Sequence, residues 1–164
     1  MNRTELYIES LYRRINIYHP HQLTINGIIQ RLNLSVIYWK FASEITFYNS
    51  IYKVFINENL SVQQQWQDFG HEMYHYCHDH VVYDRLHECY AEYGESKADY
   101  FAYHFCVPTF MLFNLKEVSV NVIANKFNVE YDFALRRFEM YQNKMLIGGM
   151  AHGAYSGTRK KQEV

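Results

Sequence analysis

The sequence predicts an α+β fold, with a small antiparallel sheet near the N-terminus packed on a mostly helical bundle. Three observations predict it. Segments rich in β-branched and aromatic residues are confined to residues 35–56. Amphipathic helical periodicity fills most of the rest. Of the 164 residues, 49% are hydrophobic and 20% charged, enough apolar mass for one compact core.

Residues 4–18 read as a helix, with Tyr7, Leu11, Ile15 and Tyr18 on one stripe, Arg13 and Arg14 away from it, and His19-Pro20 as its stop. Residues 23–32 form a second, short helix despite Gly27. Three strands follow at 35–40, 44–48 and 52–56, with Asn49-Ser50 as a turn, which reads as an antiparallel meander. Asn57-Glu58-Asn59 breaks the strand pattern, and Ser61 is placed to cap a long helix reaching about residue 80. An irregular stretch at 81–87 precedes a second strong helix over 89–106, closed by Val107-Pro108. Helices at 109–114, 118–127 and 131–144 complete a single domain over residues 1–147. Gly148, Gly149, Gly153 and Gly157 mark residues 148–164 as a flexible tail.

The formal net charge is −1, so nothing global draws the chain to nucleic acid or an anionic membrane. The one basic cluster, Arg159-Lys160-Lys161, reads as solvated tail. No apolar run reaches the ~18 residues of a membrane span, and the first residues lack an apolar signal core. Cys77, Cys89 and Cys106 are odd in number with no CxxC spacing, which fits reduced thiols and a cytoplasmic protein. The 16 Tyr and 11 Phe predict many hydroxyls at boundaries and cleft walls, where a buried ring keeps a polar partner.

The chemistry sits in His71-Glu72-Met73-Tyr74-His75. On a helix, residues four apart share a face, so His71 and His75 aim two imidazoles at one ion, a set suited to zinc (Zn2+). Glu72 is offset by about 100°, beside the open side of such an ion, where it can accept a proton from an activated water and pass it to a leaving amine. By composition alone an HExxH match is expected roughly 0.04 times in such a chain.

A catalytic site needs a third protein ligand. Glu92, Glu95 and Asp99 lie on the 89–106 helix. Glu95 and Asp99 share a face, so one can bind metal while the other takes the free N–H of a ligating His. Glu92, three before Glu95, remains a rival on periodicity. His78, His80 and His87 read as surface or supporting residues, and Cys77 as a buried helical thiol.

These pieces resemble the ImmA/IrrE-type metallopeptidases over about residues 52–141. A strand ends in Ile56-Asn57-Glu58-Asn59-Leu60, Gln63-Gln64-Gln65 opens a helix, and Gly70 precedes the motif. Glu95-Ser96-Lys97-Ala98-Asp99-Tyr100-Phe101-Ala102 is similar to the family's E-x-x-A-x-x-F-A segment, and Pro108 follows. The resemblance implies a zincin-like minimal metallopeptidase of gluzincin type. It implies His71, His75 and Glu95 as zinc ligands, Glu72 as general base and Asp99 as support for a ligating His, and so favours Glu95 over Glu92. It further implies an anti-repressor that cuts a helix-turn-helix (Xre-like) repressor of a prophage or mobile element. Gly70 and Tyr74 depart from the family's usual Ala and Gly.

Residues 123–129 and the helix after them look like a helix-turn-helix. Lys126, Glu130, Asp132, Arg136, Arg137 and Glu139 nearly cancel in charge, so these helices read as completing the core, and direct DNA binding is not expected. The competing hypothesis is a non-catalytic metal-containing module holding a repressor or DNA through helices 118–144. Retention of Glu72 counts against it, since a structural site needs no base.

Overall fold

The computed structural model describes residues 1–48, 51–78 and 88–153, without the side chains of 88–92 and 147–153. Helix α1 (Arg3–Arg14) opens with a capping box in which Asn2 and Glu5 each satisfy the other's backbone N–H. It ends four residues short of the expected position, because Asn16 takes the left-handed conformation at φ 57°. The Ile17 N–H then closes onto the Tyr12 carbonyl at 2.9 Å, a helix-terminating loop that Asn tolerates well. The buried face therefore runs through Glu5, Ile8, Leu11 and Tyr12, and Tyr18 stays exposed. A 3₁₀ turn (Pro20–Gln22) leads to α2 (Ile25–Leu32), capped by the Thr24 hydroxyl.

Strands β1 (Ser35–Trp39), β2 (Glu44–Tyr48) and β3 (Ile51–Asn57) form one sheet in the order β1-β3-β2. The expected meander is corrected here: β3 lies between the other two, antiparallel to β2 and parallel to β1. The link 40–43 is long enough to skip one strand spacing of about 4.8 Å. The central place goes to the strand with the most to bury, for Val54 and Ile56 of β3 are wholly enclosed. The α+β assignment stands.

Helix α3 (Val62–His78) starts on the expected Ser61, whose hydroxyl accepts from the Gln64 N–H while the Gln64 side chain accepts from the Ser61 N–H. It packs on β3, on β2 and along α4 (Glu88–Cys106). The pairs His75–Glu95, His71–Asp99 and Gly70–Cys106 show that α3 and α4 run antiparallel. At Gly70 the helices come so close that a Cβ would lie 2.6 Å from Cys106 Sγ. Phe69, Met73, Phe101 and Phe105 fill the seam, and the fully buried Tyr12 donates its hydroxyl to the Phe105 carbonyl at 2.8 Å.

Helices α5 (Thr109–Leu112), α6 (Val120–Phe127) and α7 (Tyr131–Gly153) close the core. Helix α7 continues well past residue 144, through Gly148-Gly149 to Gly153, where a loose end was expected. Each glycine weakens a helix by about 1 kcal/mol without removing a hydrogen bond, and no proline interrupts this stretch. Arg137 of α7 is fully buried and donates to the Val107 carbonyl (3.0 Å) and the Thr109 hydroxyl (2.7 Å). Thr109 donates in turn to Glu5, which also accepts from Lys144, so α1, α5 and α7 share one buried polar junction. Thus α6 and α7 complete the core, as their balanced charge suggested. The Asn49-Ser50 turn, residues 79–87 with His80 and His87, the Cys89 and Glu92 side chains and residues 154–164 lie outside the described residues.

Candidate metal centre

His71 and His75 stand one turn apart on α3, and Glu95 faces them from α4. One ligand atom from each lies within 4.8 Å of the others, a spread one divalent ion can span. Glu95 Oε2 is 3.1 Å from His71 Nε2, and Oε1 is 3.8 Å from His75 Nε2. The other nitrogen of His71, Nδ1, meets Asp99 Oδ1 at 2.9 Å. With an ion bound between Nε2 and Glu95, the Asp99 bond would hold the proton on Nδ1 and leave the Nε2 lone pair for the metal, as metal-binding imidazoles require. Two imidazole nitrogens, one carboxylate oxygen and a supported tautomer together fit zinc or a similar divalent ion.

Glu72 lies beside this cluster, 8% exposed, on the side of α3 that faces β2. Burial raises its carboxyl to about 7; Asp68 and Glu95 push the same way, while His71 and a hydrogen bond from the Ile45 backbone oppose. A carboxyl poised near neutrality can take up and give back a proton at physiological pH.

The five residues singled out in the sequence therefore converge, although His71, Glu72 and His75 come from one helix and Glu95 and Asp99 from another, at least 20 positions on. A cleft of about 590 Å³ opens beside them, with His71, Glu72 and Asp99 in its wall. Sequence reasoning assigned no role in the site to several other residues of that wall. Asp68, one turn before Glu72, was recoverable from helical spacing; it accepts from the Ser43 hydroxyl at 2.6 Å, and Ser43 accepts from the Asn57 N–H. Ala42 and Phe133 carry no local signal, because only the packing of the β1–β2 link and α7 brings them there. Tyr103, one turn beyond Asp99, lines the cleft as well. Glu92 is not tested, as its side chain lies outside the described residues. His78 turns from the cluster, its Nδ1 donating to the Tyr74 carbonyl at 2.9 Å. The Cys77 thiol is pushed up by burial to about 11 and is inert as a nucleophile.

Among known proteins, residues 29–139 match the Peptidase M78 family, described as the IrrE N-terminal-like domain. The phage-like element PBSX protein XkdA of Bacillus subtilis (strain 168) is 31% identical over 149 residues, covering 88% of this chain and 75% of that protein. The uncharacterized protein YqaB of the same organism is 30% identical over 146 residues, covering 86% and 85%. A solved structure of a Mycobacterium tuberculosis transcriptional regulator aligns with a TM-score of 0.60 at 12% identity, over 84% of this chain. This chain spans 55% of that structure's length, so the likeness is one of fold. No helix among the described residues is long and apolar enough to cross a membrane.

Proposed function

The chain belongs to the Peptidase M78, or IrrE N-terminal-like, family, and on that premise we propose that it is a zinc-dependent endopeptidase of gluzincin type acting in the cytoplasm. One observation carries this reading: ligand atoms of His71, His75 and Glu95 lie within 4.8 Å of one another, beside the buried carboxyl of Glu72. His71 Nε2, His75 Nε2 and the Glu95 carboxylate would hold the ion, with Asp99 orienting His71. Zinc bound there supplies a Lewis acid, which polarises a peptide carbonyl and makes the attacking water more acidic. The Glu72 carboxylate takes the water's proton and delivers it to the departing amine, the work of one general acid–base group. The wall carrying Asp68, Ser43 and Asp99 borders the groove in which an extended peptide would lie.

The substrate we infer is a helix-turn-helix (Xre-like) repressor of a prophage or mobile element, cut at a defined bond so that the element's genes are released. Two features support it: the similarity to a protein of a phage-like element and a C-terminal region whose Ile123, Phe127, Ala134 and Arg137 are built into the core. Incubating the zinc-loaded protein with the helix-turn-helix repressor encoded beside it should yield two defined fragments. Glu72→Gln should lower the rate by about 10²–10⁴-fold. Equal cleavage by the wild type and Glu72→Gln would refute the hydrolase.

A further inference from the structure

The cleft that holds His71 and Glu72 ends, on its α4–α7 side, in an aromatic pair. Tyr103 and Phe133 stand with ring centroids 4.4 Å apart and planes 34° from parallel, and both line the cleft. Ala102 beside them is small and almost fully buried, so the floor between the rings and the metal cluster stays open. Phe133, on α7, is held in place by a contact with the motif helix. Gln67 of α3 accepts from the Glu130 backbone N–H at 2.8 Å and donates to the Glu130 carboxylate at 3.4 Å, which fixes the start of α7 against the motif helix. Phe133 remains partly exposed despite its size, although one helical turn on from it Arg137 is buried. A large ring kept half open toward a cleft, on a helix whose start is pinned, is a surface waiting for an apolar partner. The charges nearby sharpen its selectivity. Asp68, Glu72 and Asp99 line the same cleft, and no lysine or arginine does so among the described residues.

We propose that Tyr103 and Phe133 form the specificity subsite of the enzyme, receiving a large apolar side chain next to the scissile bond, and that the acidic wall turns acidic side chains away. This deepens the peptidase assignment and presupposes it for its kinetic arm. It also gives α7 a direct part in substrate choice, so the C-terminal helices complete the active site as well as the core.

Two measurements test it. In the first, the zinc-loaded protein is given an internally quenched peptide library randomised on both sides of a central bond, and the products are sequenced. Phe, Tyr, Leu or Met should be preferred at one position beside the cut by about tenfold or more over Ala, with Asp and Glu depleted. Phe133→Ala and Tyr103→Ala should each erase most of that preference through KM, while Phe133→Leu should keep it. In the second, Glu72→Gln carrying zinc is titrated with labelled peptides that differ only by Phe or Ala at that position, followed by fluorescence anisotropy. The Phe peptide should bind about tenfold more tightly, and Phe133→Ala in the Glu72→Gln background should remove the difference. Cleavage with no apolar preference, or a preference that survives both alanine variants in proteins of unchanged melting temperature, overturns the subsite and leaves the peptidase standing. If the wild type cuts nothing, the peptidase assignment fails, and equal binding of the two peptides then overturns the subsite too.

Discussion

Gly70, the residue before the motif, offers a quantitative test of how the metal centre is held together. Replacing it with Ala puts a Cβ 2.6 Å from Cys106 Sγ, at least 0.8 Å inside the 3.4 Å where ordinary contact begins. Phe105 Cδ1 at 3.4 Å and the Ala102 backbone at 3.6 Å block the other directions. Cys106 has no room to retreat, being wholly buried with its thiol bonded to the Trp66 carbonyl. Overpacking of this kind costs about 1–3 kcal/mol, and the better helix propensity of Ala returns about 1 kcal/mol. Gly70→Ala should therefore destabilise by about 1 kcal/mol net, or about 2–4 °C in melting temperature. In a Cys106→Ala background the steric loss vanishes, so the same substitution should become neutral or stabilising by up to about 1 kcal/mol. A double-mutant cycle by urea denaturation reads this as a coupling of about 1–3 kcal/mol. Because relief of the clash must push α3 from α4, Gly70→Ala alone should also weaken zinc binding, since the proposed ligands sit on both helices. If Gly70→Ala is stabilising by itself and the coupling is near zero, the close approach is not what sets the spacing.

Other substitutions probe the remaining parts. Zinc titration with a competing chelator should show Asp99→Asn weakening affinity by about 10–100-fold with the fold intact; Glu95→Gln should abolish tight binding, whereas Glu92→Gln should leave it unchanged. Stripping zinc from protein held at 100-fold above its Kd should remove about 2.7 kcal/mol of stability, seen as a lower melting temperature. Arg137→Met leaves the Val107 carbonyl and the Thr109 hydroxyl without their donor and should cost about 3 kcal/mol, or roughly 6–12 °C. Acid should act first through His104, which is 3% exposed with neither ring nitrogen bonded to protein; burial, aided by the Arg137 charge, pushes it down to about 3 from 6.5. The unfolded chain then binds the proton more readily, so stability falls as the pH drops from 6.5 toward 3, by about 2 kcal/mol at pH 5. Glu5 acts lower on the scale. Burial alone would raise it, but hydrogen bonds from Lys144 and Thr109 hold it at about 2, so its contribution is full above 4.5 and fades toward pH 2. His104→Leu should lose less stability between pH 7 and pH 5 than the wild type in urea denaturation, and an equal loss would show that His104 is not the titrating group.

Much of this protein is local and therefore legible. Helical spacing puts His71 and His75 on one face whatever they pack against, and the caps at Ser61 and Ser119 work through hydrogen bonds three residues away. Strand segments were recognisable because β-branched and aromatic side chains crowd a helix wherever they occur. The boundaries that slipped were those set by one residue's backbone, such as Asn16 in the left-handed region at the end of α1.

Tertiary packing decided the rest. Whether β3 sits at the edge or the centre of the sheet depends on which strand has most to bury against α3, and no periodicity encodes that. The sequence alone placed the two imidazoles and Glu72 on one helix and narrowed the proposed third ligand to the acidic residues of another. Bringing Glu95 to His71 and His75, and Asp99 to the far nitrogen of His71, took the close antiparallel approach of α3 and α4 that Gly70 permits. The cleft is a still longer-range product, because Ser43, Asp68 and Phe133 line it together only once the β1–β2 link and α7 have both packed against the motif helix. Chemistry carried by side-chain spacing can be read along the chain, whereas the shape that chooses a substrate arises between elements distant in sequence.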